Sequence, residues 1–245
     1  MVSEKSLYKY VNSGIFSARN IDLPRRVRLR PRRNKREFLK IDKGCRIGRD
    51  YQDYKTFMEE NPDTPVVEMD SVEGGKVLLT IHFVSCKLML AFLRDANTAQ
   101  SVIDIFTRLC WRLGGKTFKK LFPLLLTDNG SEFTNPAAIE FDTLGNRRSR
   151  VFYCDPNSPY QKGAAENNHE MIRRIVPKGH SFDGFSQEDI SLMMNHINSY
   201  GREGLNDRSP YDVFSYLFGE DVLKKLSVER VSPDSIVLRP SLLER

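Results

Sequence analysis

The chain has 245 residues, 40% of them hydrophobic and 29% charged, with a formal net charge of +6. That is enough chain for a sizeable core, as one large domain or a domain with appendages, and the composition is too polar for a membrane protein. No run approaches the roughly 18 unbroken apolar residues of a spanning helix, and residues 1–10 lack the apolar stretch of a signal peptide, so a cytoplasmic location is expected.

The charge is unevenly placed. Residues 1–50 hold 15 Lys and Arg against 5 Asp and Glu, so residues 51–245 sum to −4, the difference between +6 and +10. SLYKYVNSG, residues 6–14, reads as a short helix closed by Gly14. LPRRVRLRPRRNKR, residues 23–36, carries Arg25, Arg26, Arg28, Arg30, Arg32, Arg33, Lys35 and Arg36 with no acid, and Pro24 and Pro31 oppose a regular helix. Such a run suits an extended arm along DNA phosphates, where each neutralised phosphate releases counterions. A solvated linker or a localisation tag is the alternative. YQDYKTFMEE, residues 51–60, is a further short helix, and a domain boundary is expected near residues 61–65.

Beyond Pro65 the pattern turns to strands. PVVEMD ends on Asp70, and SVEGG turns the chain at Gly74 and Gly75. Val77, Leu79, Ile81 and Phe83 alternate, as do Leu88, Leu90 and Phe92 after a turn near Ser85, which predicts a three-stranded antiparallel meander. Asn97 is placed to cap a helix with Val102, Ile105, Phe106, Leu109 and Leu113 at helical spacing, stopped by Gly114 and Gly115. LLLT, residues 124–127, is the next strand; residues 135–149 read as a polar insertion, and RVFYCDP as one more strand. Helices are predicted over 162–175 and 187–200 and from Tyr211 toward Leu226, before a tail broken by Pro233 and Pro240. This order predicts an α/β fold, a mixed sheet with helices on its faces. In such sheets chemistry gathers beyond the carboxyl ends of the strands, where Asp70 and Asp128 are expected.

Each acid has a bland reading. Asp128-Asn129-Gly130 is also a hairpin signal, although SEFTNPAAIE does not alternate as a returning strand would and Pro136 interrupts it. Asp70 alone reads as a turn residue. Glu166, with Glu170 and Arg173 at i+4 and i+7, reads as a surface glutamate near an arginine. Together the three acids supply what two-metal phosphoryl chemistry requires: oxygen ligands for Mg²⁺ or Mn²⁺, with two ions about 3.5–4 Å apart clamping the attacking and leaving oxygens. No competing site is offered. His82, His169, His180 and His196 form no H-x-x-x-H pair, Cys45, Cys86, Cys110 and Cys154 form no C-x-x-C pair, and no G-x-S-x-G or Walker loop is present.

Asp70 after VVEM, TDNGSEF around Asp128, and YCDPNSPYQKGAAENNHEMIRR around Glu166 resemble the DDE core of bacterial insertion-sequence transposases, and within them the insertion sequence thirty family. The likeness extends from LPRRVRLRPRRNKR to DRSPYDVF, most of the chain. It implies an RNase H-like fold, a mixed five-stranded sheet flanked by helices, spanning residues 63–218 between a DNA-binding remnant, arm and linker over 1–62 and a tail over 219–245. It implies Asp70, Asp128 and Glu166 as the catalytic, metal-binding acids, with Glu68 and Glu170 as alternative ligands, and two Mg²⁺ ions per site that Mn²⁺ can replace. By the same likeness Lys162, Arg173 and Arg174 join the basic arm in contacting DNA, with Asn129 and Asn167 supporting the acids. The implied reaction is cleavage at the element end to leave a 3′-OH, which then attacks target DNA, by a protein acting as a homodimer or higher assembly on DNA. Glu166 follows Asp128 by 38 positions, slightly more than the resemblance leads one to expect, and the excess is assigned to FDTLGNRRSR. The resemblance leads one to expect a helix-turn-helix region before the arm, of which SLYKYVNSG reads as the surviving part, as in a truncated copy or a catalytic core alone. Two other readings stay open: a catalytically silent DNA-binding remnant, and another nuclease of the same fold such as a resolvase.

Overall fold

The computed structural model describes residues 2–17, 43–156 and 158–244, with the side chains of residues 43, 73, 159 and 164–168 outside the description. The basic run at residues 23–36, with its eight candidate DNA contacts, lies outside the described residues. The chain divides into two units, Met1–Lys40 and Ile41–Arg245. In the first, helix α1 (Glu4–Asn12) begins at Ser3, whose hydroxyl accepts the Ser6 N–H. The second takes in residues N-terminal to the boundary expected at 62/63.

Five strands, β1 (Val66–Gly74), β2 (Lys76–Phe83), β3 (Leu88–Arg94), β4 (Leu124–Thr127) and β5 (Arg150–Tyr153), form one sheet in the order β3-β2-β1-β4-β5. The first three are antiparallel neighbours, and β4 and β5 join parallel to β1. A meander followed by two parallel strands, flanked by helices, is a mixed five-stranded sheet of the α/β kind expected from the sequence. Asp128-Asn129-Gly130 is no hairpin, because β5 runs parallel to β4.

Period-two alternation sorts the sheet residues onto two covered faces. Val67, Met69, Leu79, Ile81, Leu125 and Val151 point to a core shared with α3 (Ala99–Leu113), α4 (Gly115–Leu121), α8 (Pro210–Phe218) and α9 (Glu220–Lys225). From α3 it takes Val102, Ile105, Phe106, Leu109 and Leu113, each contributing about 1.5–3 kcal/mol by burial. On the opposite face two smaller clusters lie side by side. Val72, Leu78 and Met89 pack under α6 (Gly163–Ile175) and α7 (Gln187–Ser199). Leu124, Leu126, Phe152 and Cys154 pack under Tyr51, Tyr54, Phe57 and Met58 of α2 (Tyr51–Glu60). Helix α2 starts at a capping box between Asp50 and Asp53. Along β1 this face reads Val66, Glu68, Asp70, Val72, so its two carboxylates fall between the two apolar clusters.

Several expectations are corrected. Strand β1 continues past Asp70 to Gly74, and the turn comes at Gly75, whose φ of +80° favours glycine. Asp70 is therefore mid-strand, yet β4 pairs with β1 only as far as Glu68, which leaves Asp70 just beyond the end of the parallel partner. Thr98, not Asn97, caps α3; the Asn97 carboxamide accepts a hydrogen bond from Arg94. After Gly114 the chain forms α4 before the next strand, because Phe118 and Leu121 find places in the core. The 211–226 helix is two helices, broken at Gly219 with φ +89°. The polar insertion at residues 135–149 contains a helix not expected from the sequence: α5 (Pro136–Glu140) ends on a buried glutamate that binds Arg49 at 2.7 Å, Arg147 at 3.3 Å and the Val151 N–H at 2.9 Å. No helix among the described residues is long and apolar enough to cross a membrane.

Candidate active site

Asp70 and Asp128 come together because β1 and β4 are adjacent parallel strands. Asp70 Oδ1 accepts its neighbour's Ser71 N–H at 2.9 Å, and the Asp70 carbonyl accepts the Thr80 hydroxyl at 3.1 Å across the ladder. Thr80 also hydrogen-bonds His169 Nε2 at 2.8 Å, which brings His169 Nδ1 to 3.7 Å from Asp70 Oδ2. Burial holds the His169 imidazole below its usual range, against the pull of Asp70.

Asp128 follows the last residue of β4, and its Oδ1 accepts the Gly130 N–H at 2.9 Å, a local turn that fixes the carboxylate. Asn129 braces the same loop twice: its carbonyl accepts Arg46 Nη2 at 2.9 Å, and its Nδ2 donates to the Cys154 carbonyl at 2.6 Å. Burial pushes the Asp128 carboxyl above the ordinary range; Lys162 pulls it back, while Asp70 and Glu132 push the same way as burial.

One cation serves both carboxylates. Lys162, 7% exposed, donates to the Met69 carbonyl at 3.1 Å, and its Nζ stands 3.4 Å from Asp70 Oδ1 and 3.8 Å from Asp128 Oδ2. It ends the short 3₁₀ turn Pro159–Lys162 that leads into α6. Glu166 and Asn167 lie on that helix, with their side chains outside the description. Arg173 and Arg174, on the last turn of α6, line a shallow cavity of about 500 Å³ with His169, Glu170 and Lys178. Of the alternative ligands, Glu170 is exposed in that groove, and Glu68 is buried with Oε2 3.8 Å from His82 Nδ1.

Among the described residues no group of three or more His, Cys, Asp or Glu side chains is arranged to hold a metal ion. The two strand acids nevertheless fit one: their oxygens converge on a single cation, and carboxylate oxygen is the donor that Mg²⁺ and Mn²⁺ favour. Sequence alone does not assign three participants these places. Lys162 reads there as a DNA contact, Glu132 as part of a loop, and His169 only as lacking a metal-binding partner. For His169 the available signal is its position three residues after Glu166 on one helix; for Glu132 it is its place in the TDNGSEF motif.

No protein-family model matches the chain. It is 33% identical over 155 residues to the transposase for insertion sequence element IS1086 of Cupriavidus metallidurans, covering 60% of this chain and 42% of that protein. It is 28% identical over 213 residues to the probable transposase for insertion-like sequence element IS1161 of Streptococcus salivarius, covering 82% of this chain and 55% of that protein. The chain thus spans about half the length of these curated relatives. Among solved structures, the catalytic core domain of BIV integrase aligns with a TM-score of 0.46 and 22% identity, covering 66% of this chain and 99% of that domain.

Proposed function

We propose that the chain carries the catalytic core of an insertion-sequence transposase, of the insertion sequence thirty kind, acting in DNA transposition, integration and recombination. The reaction would be cleavage of a DNA strand at the element end followed by transfer of the new 3′-OH to target DNA. The observation that carries this reading is the convergence of Asp70 and Asp128, from separate strands, on one point beside the start of the helix that bears Glu166. Likeness to insertion-sequence transposases along most of the chain supports it.

In this reading Asp70, Asp128 and Glu166 would hold two Mg²⁺ ions, replaceable by Mn²⁺, which when bound would polarise the scissile phosphate and stabilise the attacking and leaving oxygens. The chain's own part is position. The paired ladder of β1 and the Asn129 brace keep the two aspartates from drifting, and an ångström of drift at such a site costs much of the rate. Arg173 and Arg174, with Lys178 beside them, present cations where the DNA backbone would pass. The basic run at 23–36 would add contacts that hold DNA regardless of sequence. Assembly as a dimer or larger on DNA belongs to the same proposal.

The test is nicking of supercoiled plasmid in Mn²⁺ by the wild-type chain and by Asp128→Asn. Nicking lost in the variant is the expected result. Equal nicking by both proteins would place the activity elsewhere and sink the assignment.

A further inference from the structure

Lys162 is an unusual residue to find beside two candidate metal ligands. A buried ammonium persists only where it is paired and hydrogen-bonded, and here three oxygens surround it: the Met69 carbonyl accepts its hydrogen bond, and Asp70 Oδ1 and Asp128 Oδ2 stand at ion-pair distance. Two of them are the oxygens that a divalent ion would need. The two sides of the site also differ: the Lys162 side chain is 9% exposed and Asp128 47%. The ammonium therefore reaches the carboxylates from the protein side, while Asp128 stays open to solvent. Lys162 also ends the 3₁₀ turn directly before α6, so its backbone belongs to the segment that positions Glu166.

We infer that Lys162 is a built-in competitor for the divalent ion: its ammonium holds the Asp70 and Asp128 carboxylates until a DNA phosphate draws it away. Metal loading is thereby coupled to DNA binding. This rests on the function proposed above. A divalent ion on the same two oxygens would stand within a few ångströms of the ammonium, and like charges at that range in a partly buried site repel strongly. One of the two must leave, or the ion binds weakly. A phosphate oxygen is the natural alternative acceptor, since a lysine ammonium is a compact charge on a flexible stem. If DNA relieves the competition, it tightens metal binding, and by reciprocity metal tightens DNA binding by the same factor. Lys162 is on this account a positioning residue whose effect passes through the aspartates.

The experiment is Mn²⁺ binding to the full chain, followed by loss of the free-ion paramagnetic resonance signal, with and without a short duplex. It compares wild type with Lys162→Met, Lys162→Gln and Asp128→Asn, each checked for fold by circular dichroism. Without DNA, the Met and Gln variants are expected to bind Mn²⁺ about tenfold tighter than wild type. Adding duplex should tighten wild type more than either variant. Affinity in both variants equal to or weaker than wild type overturns the inference. So does failure of both to fold, because the ammonium would then be a requirement of the structure and no exchangeable occupant. The underlying reading has its own arm: undiminished Mn²⁺ binding by Asp128→Asn would remove the metal site itself, whatever the Lys162 variants do.

Discussion

Asn129 uses both its backbone and its side chain to hold the loop after β4, and the Cys154 carbonyl that accepts its amide belongs to a buried residue. Removing the amide leaves a carbonyl without its donor, which costs about 1–3 kcal/mol. Asn129→Ala is accordingly expected to lower the unfolding free energy in urea by that much and to reduce plasmid nicking as well, because the Asp128 loop loses its tie to Cys154, the residue that follows β5. Unchanged stability would mean that the Arg46 bond and the Gly130 turn hold the loop by themselves. The raised position of the Asp128 carboxyl comes from partial burial: about half of the side chain is covered, the desolvation of that part disfavours the anion, and Lys162 offsets it in part.

At the scale of elements, β3 is an edge strand whose outward amides and carbonyls are met by α7. Asn198 bonds both the Met89 N–H at 3.0 Å and the Met89 carbonyl at 2.8 Å, and Gln187 bonds the Leu93 N–H at 2.8 Å and the Ala91 carbonyl at 3.0 Å. Two side-chain amides thus stand in for a neighbouring strand and blunt the edge against pairing with another chain. Asn198→Leu removes two buried partners at once and is expected to destabilise the chain by about 2–4 kcal/mol, measured by denaturant unfolding, on the usual cost of unsatisfied buried groups. A loss under about half a kilocalorie would show that the edge does not need this amide. The tail ties elements together in a similar way: Val237 donates to His196 Nδ1 at 3.0 Å, and Leu238, Leu242 and Leu243 pack on the cluster that includes Met171, Ile172 and Ile175 of α6.

For the whole molecule, the division at Lys40 separates a short basic unit from one that, among the described residues, contains the five strands and the three apolar clusters. Residues 41–245 are expected to unfold in one cooperative transition without residues 1–40, at a midpoint close to that of the full chain. The shortened chain is also expected to bind duplex DNA with a shallower salt dependence. Eight cations leave with residues 23–36, and every phosphate they no longer neutralise lowers the slope of log affinity against log salt by about 0.9. An unaltered slope would show that the arm does not touch phosphate.

Alternation from Val77 to Phe92, the helical repeat of Val102 to Leu113 and the punctuation at Gly74, Gly75 and Gly114 suffice to write the meander and its covering helix from sequence, because local periodicity reports which face is buried. The motifs around Asp128 and Glu166 likewise point to insertion-sequence transposases without any geometry. Other features depend on contacts between residues far apart in the chain. Helix α4 forms because Phe118 and Leu121 meet a core built by α3 and the sheet, and residues 135–149 are ordered by Arg49, distant in sequence, reaching Glu140. Lys162 is legible as a basic residue but not as the cation between Asp70 and Asp128, since nothing local to QKG tells a lysine facing solvent from one buried against two carboxylates. Sequence by itself determined which residues are candidates for the chemistry and the order of most elements. Tertiary structure alone decided which charges meet, because burial and Coulomb interaction depend on distances that only the packed sheet sets.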